Sequence, residues 1–123
     1  MRRFDLHSET AAGLVDRFAA VCIEQNNALF EDDIKKFNGL FDRMMEIKNE
    51  LKSRPGDQRK ALLALFNHRN IQVRLQAARL TLAVAPEEAR RAIQAIVDSK
   101  WQPQAGDAGM CLLRLDRGDF VPD

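Results

Sequence analysis

Residues 67–85, Asn-His-Arg-Asn-Ile-Gln-Val-Arg-Leu-Gln-Ala-Ala-Arg-Leu-Thr-Leu-Ala-Val-Ala, constrain this chain more than any other stretch. A polar turn, Asn67 to Asn70, runs into Val73-Arg74 and then into paired alanines, Ala77 and Ala78. Small residues in tandem within an apolar run predict a helix pressed closely against neighbours. Composition points to the same fold class. Tyr is absent, there are four Pro and six Gly, and 46% of the 123 residues are hydrophobic. Leu, Ala, Arg, Glu, Gln and Lys favour helices, while the residues that favour strands are scarce.

The apolar spacing predicts six helices with short connections. The first runs from a cap at Ser8 to about Leu29, with Leu14, Val15, Phe18, Val21, Cys22 and Leu29 on one face. The second covers about 31–53. Glu31, Asp32 and Asp33 sit at its positive end, and Lys48, Lys52 and Arg54 at its negative end. Pro55-Gly56 stops it, because Pro disfavours helical geometry at the preceding residue. Asp57 then caps a shorter helix carrying Leu62, Leu63, Leu65 and Phe66. The helix of the opening stretch follows. Pro86 with Glu87 and Glu88 opens a fifth, and a sixth runs from after Pro103 to Gly118. The predicted organisation is a tail at 1–7, in which Phe4 and Leu6 tuck onto the body, one helical domain at 8–118, and a tail at 119–123.

Asn70, Val73-Arg74 and Ala77-Ala78 together resemble the second-helix motif of HEAT and armadillo repeats. The resemblance covers residues 57–117 and extends loosely over 8–54. It implies an all-α, right-handed superhelical stack of about three antiparallel helix pairs: a divergent pair at 8–54 and HEAT-like pairs at 57–84 and 86–117. Such repeats bury their apolar faces against neighbouring repeats. In them a turn Asp orders an Arg of the adjacent repeat. Here Asn67 and Asn70 occupy that turn, which leaves Asp107 as the best partner for Arg74. Three further runs resemble a small bacterial family of unknown function: Phe37-Asn38-Gly39-Leu40-Phe41-Asp42, Leu51-Lys52-Ser53-Arg54-Pro55-Gly56-Asp57 and Pro103-Gln104-Ala105-Gly106-Asp107-Ala108-Gly109. The Val73–Pro86 stretch belongs with them. That resemblance implies an all-helical fold and brings no catalytic residues.

Charge excludes some classes of partner. Residues 1–56 hold nine Lys/Arg against ten Asp/Glu, and residues 57–123 hold ten against eight. Neither half has the basic excess of a nucleic-acid or membrane-surface binder, even though Arg69, Arg74, Arg79, Arg90 and Arg91 crowd the repeat region. No apolar run is long enough to span a membrane. Cys22 and Cys111 lack C-x-x-C spacing and a preceding secretory segment, so they are expected as reduced, buried thiols of a cytoplasmic protein. With His7 and His68 isolated, neither a metal site nor a cofactor is expected, and no enzyme activity.

Two surfaces stand out as candidates for binding an unknown protein or peptide. Asp42, Glu46 and Glu50 fall four apart on one helix, an acidic stripe that repels itself mildly instead of pairing. Trp101 to Gly109 joins the only Trp to a Pro, two Gly and Asp107 in a longer connection. The plainer accounts are a solvated face for the stripe, and for the loop a core-capping Trp101 with Gly106 and Gly109 admitting a neighbouring helix. Gly39 in mid-helix likewise suggests close packing. A pocket near Trp101, Asp107 and Arg74 is the alternative, for a small-molecule-binding or enzymatic domain. Small size and fold analogy admit an immunity- or inhibitor-type protein as well. A homodimer is a further outcome, with Phe37, Phe41, Met44 and Met45 supplying an apolar surface.

Overall fold

The computed structural model describes residues 5–123. Phe4, expected to tuck onto the body, lies outside them. The described chain is all-helical and holds no strand. Five α-helices run as α1 (Ala11–Phe30), α2 (Ile34–Ser53), α3 (Ile71–Leu80), α4 (Pro86–Ser99) and α5 (Gln104–Arg117). Two 3₁₀ segments, Leu6–Ser8 and Gln58–Leu65, complete them. All six predicted helical segments are present, the third wound as the 3₁₀ segment Gln58–Leu65. The chain divides into two compact units, Met1–Ala61 and Leu62–Asp123.

In the first unit α1 and α2 pack along each other as a hairpin. Leu14, Phe18 and Cys22 of α1 and Met44 and Leu51 of α2 are fully enclosed. The apolar surface expected from Phe37, Phe41, Met44 and Met45 is thereby partly consumed. Met44 meets the Cys22 thiol at 3.9 Å and Gln25 Nε2 at 3.5 Å, so it is core and adds nothing to an outward surface. Helix α1 starts later than Ser8. Ser8 Oγ donates to the Asp5 carbonyl within the 3₁₀ turn, and Thr10 Oγ1 accepts from the Gly13 amide as the cap. Asp33 caps α2 by accepting from the Lys36 amide.

The tail expected at 1–7 is secured at its described end. Arg54, the last residue before Pro55, donates to the Leu6 and Glu9 carbonyls at 3.1 and 2.6 Å and to Glu50 Oε2 at 2.9 Å. One guanidinium therefore fixes the turn that precedes α1 to the end of α2. After Gly56, Asp57 adopts a left-handed conformation (φ 52°) and grips buried Arg59 through both carboxylate oxygens.

The second unit is a three-helix cluster around Ile71, Leu75, Ala78, Leu82, Ala89, Ile93, Ile96, Ala108 and Cys111. Asn70 caps α3 by accepting from the Gln72 and Val73 amides. Ala77 and Ala78 are both fully buried, as tight packing of this helix requires. Helix α3 stops at Leu80, short of the expected 84. Thr81 Oγ1 donates back to the Ala77 carbonyl at 2.8 Å, and the chain turns through Ala85. Pro86 opens α4 at its first helical position, and Gly118 ends α5 in a left-handed conformation (φ 74°).

Candidate functional site

The connection from α4 to α5 holds its backbone firmly and exposes its one large side chain. Lys100 closes α4 in a left-handed conformation. The Trp101 amide donates to Ser99 Oγ at 3.2 Å, and the Trp101 carbonyl accepts from the Ala105 amide at 2.8 Å. Gln102 Oε1 then accepts from the Gly106 amide at 3.0 Å. Yet Trp101 is 61% exposed, so it does not cap the core. A large rigid side chain on a pinned backbone loses little freedom when a partner covers it.

Helix α5 sorts its residues by face. Gln104, Ala105, Ala108 and Cys111 turn inward and are buried. Gly106, Met110, Leu113 and Arg117, spaced by four, three and four, fall on the opposite face and are exposed. Met110 is 52% and Leu113 44% exposed. A Cβ added at Gly109 meets nothing, and one at Gly106 meets only the Gln102 side chain, so neither glycine admits a helix of this chain.

Arg74 and Asp107 are not brought together as the repeat pattern suggested. Arg74 Nη1 donates to the His68 carbonyl at 2.9 Å, tying the helix to its own preceding turn. Asp107 is exposed and makes no ion pair with it among the described residues. Polar linkage between these two elements runs instead through Gln104 Nε2 and Gln72 Oε1, 2.9 Å apart and buried, a pair sequence reasoning missed. The signal was there: Gln104 is in phase with Ala105, Ala108 and Cys111, and a Gln on a core face needs a partner.

The acidic stripe divides. Asp42 stands in solvent, and Glu46 is exposed at the rim of a groove of about 520 Å³ that Asp5, His7 and Glu50 also line. Glu50 is part of the fold. It lies between Arg54 Nε at 2.9 Å and His7 Nδ1 at 3.0 Å, with its side chain nearly covered. The stripe is therefore not three equivalent carboxylates.

Both cysteines are free and buried. Desolvation pushes the Cys22 thiol far up, and it raises the Cys111 thiol against the pull of Arg79, Arg114 and Arg90. Buried thiols held protonated are poor nucleophiles. Among the described residues no group of three or more His, Cys, Asp or Glu converges as a metal-binding set, and no helix is long and apolar enough to cross a membrane.

A family model described as "Domain of unknown function (DUF2019)" matches residues 12–116. The chain belongs to the DUF2019 family. Its fold matches the crystal structure of the protein RPA1889 from Rhodopseudomonas palustris CGA009 with a TM-score of 0.95. The two are 60% identical over 98% of this chain and 100% of that one. No curated protein matches the sequence. DUF2019 carries no assigned activity, so the features above must speak for this member: an exposed Trp101 on a braced loop, and an apolar strip along α5.

Proposed function

We propose that this DUF2019 member is a non-enzymatic protein-interaction module, a HEAT-like helical scaffold that holds a protein or peptide against Trp101 and the outer face of α5. The observation that carries the reading is the exposure of Trp101, Met110 and Leu113 on a helix and on a connection braced by hydrogen bonds at Trp101 and Gly106. Apolar side chains presented together mark interaction surfaces, and Trp is the residue most enriched where binding energy concentrates. The HEAT-like part of the reading draws support from the Asn70 cap, the buried Ala77-Ala78 pair and the α4–α5 packing. Free thiols at Cys22 and Cys111 fit a reducing, cytoplasmic setting.

The test is affinity capture with the full chain under native conditions, followed by cross-link mapping. Partner recovery is expected to fall by at least about tenfold for Trp101→Ala and for Leu113→Glu, the scale of one lost hot-spot contact. Capture unaffected by both changes, or cross-links confined to other helices, would overturn the reading.

A further inference from the structure

A second apolar surface lies at the turn between α1 and α2, and its chemistry complements that of α5. The turn is short and tightly wound. Asp32 takes a left-handed conformation (φ 57°), and the Asp33 carboxylate is used to cap α2. This leaves Phe30 78% and Ile34 72% exposed. Beside them is a pocket of about 90 Å³ lined by Ala28, Leu29, Asp32, Asp33, Ile34 and Phe37. Its walls are apolar and its only charged lining residues are carboxylates. Lys35 and Lys36 follow in sequence but do not line it, and Lys36 approaches Glu31 at 3.9 Å. The Asp32 carboxylate makes no hydrogen bond or ion pair among the described residues. What fits such a site is an aliphatic side chain with cations about one helical turn away.

The outer face of α5 has that pattern. Met110 and Leu113 are three apart, and Arg114 and Arg117 follow within one turn of Leu113. The Arg114 guanidinium makes no hydrogen bond or ion pair among the described residues, and Arg117 reaches Asp119 only at 3.7 Å. Resting on the reading that α5 is the contact surface, we infer that its occupant is a second copy of this chain. Leu113 or Met110 of one copy seats in the turn pocket of the next, with Arg114 and Arg117 against Asp32 and Asp33. The two patches differ, so the contact is heterologous. It propagates or closes into a ring instead of stopping at a two-fold dimer.

Sedimentation velocity of the full chain, from low micromolar to millimolar, tests this. The average mass is expected to rise progressively beyond that of a dimer and to fall in high salt, where screening shortens from about 10 Å at 0.1 M to about 3 Å at 1 M. Ile34→Glu and Leu113→Glu, both at exposed positions, should each weaken association by at least about tenfold, as expected for losing one buried aliphatic contact. Mixed in equal amounts, these two variants keep one intact patch each and are expected to form a one-to-one dimer that grows no further. Circular dichroism checks that both variants keep their helices. A wild-type chain that stays monomeric overturns self-association, as does a mixture that forms no dimer. Association insensitive to Ile34→Glu overturns the pairing of surfaces. If the chain is monomeric while Leu113→Glu still abolishes capture of a different protein, the second-copy inference fails and the interaction-module reading survives.

Discussion

Gln104 donates from Nε2 to Gln72 Oε1 across 2.9 Å, joining α5 to α3 where neither side chain reaches solvent. An amide pair in an apolar interior fixes one alignment of two helices, because any slip breaks a bond that water cannot replace.

Replacing one member alone is therefore more harmful than replacing both. Gln104→Leu is expected to cost about 1–3 kcal/mol, the penalty for breaking a buried hydrogen bond to Gln72 Oε1. Gln72→Leu with Gln104→Leu should cost clearly less than the sum of the two single changes. Urea unfolding of the three variants measures the coupling, and strict additivity would sink the argument.

Arg54 offers a second test, at the start of the chain. Its guanidinium satisfies two backbone carbonyls and Glu50 at once, which a lysine ammonium on a flexible stem does less well. Arg54→Ala is expected to cost about 1.5–3 kcal/mol, the range for hydrogen bonds to a charged group. It should also speed hydrogen exchange at the Glu9 amide, which donates to the Leu6 carbonyl. Exchange at Glu9 unchanged from the wild type would show that the turn holds without the clamp.

These two contacts also show where sequence reasoning stopped. Helix starts and stops were legible wherever one residue type carries the signal, as Pro86 does for α4 and Gly118 for α5. Core positions of α3 were legible from its paired alanines, and those of α1 from apolar period except at its end, where Leu29 is exposed and Gln25 is buried instead. The sequence places Arg54 only at the α2 dipole, because its carbonyl acceptors at Leu6 and Glu9 are more than forty residues distant. Glu50 reads as one of an acidic stripe by spacing alone, since its contacts with Arg54 and His7 form only in the fold. The winding of Gln58–Leu65 as 3₁₀ instead of α leaves no mark in hydrophobic spacing, since both bury much the same Leu positions. The sequence singles out Trp101 by type and by its place in a long connection, but its exposure depends on how Ser99, Ala105 and Gln102 brace the loop.

Asp57 gives the chain an acid-sensitive contact. The Arg59 guanidinium, hydrogen-bonded to it, holds its carboxyl below the ordinary value of 3.8. A carboxyl with a lowered folded-state pKa contributes stability that is fully present above its unfolded value. That contribution is lost as pH falls through the lowered value. Asp57→Asn tolerates the left-handed backbone but lacks the charge. The wild type is expected to be the more stable at neutral pH, with the gap closing below about pH 4. Urea midpoints of both proteins across that range decide it, and a gap independent of pH would refute the role of the pair.

Gly39 supplies the remaining prediction, because the structure reverses the reason for expecting a glycine there. It lies inside α2 at an exposed position, and a Cβ built on it meets no atom within 4 Å, so no neighbour demands a glycine. Gly39→Ala is expected to stabilise the protein by roughly 0.4–1 kcal/mol, chiefly by restricting the unfolded chain. Gly13 is the internal control. A Cβ there would overlap the Glu9 side chain, whose carboxylate accepts from the Thr10 amide and pairs with Arg17 at 3.2 Å. Gly13→Ala must displace that carboxylate and should gain less, or lose stability outright. Thermal unfolding of the two variants beside the wild type checks the ordering, and a Gly39→Ala protein no more stable than Gly13→Ala would contradict it.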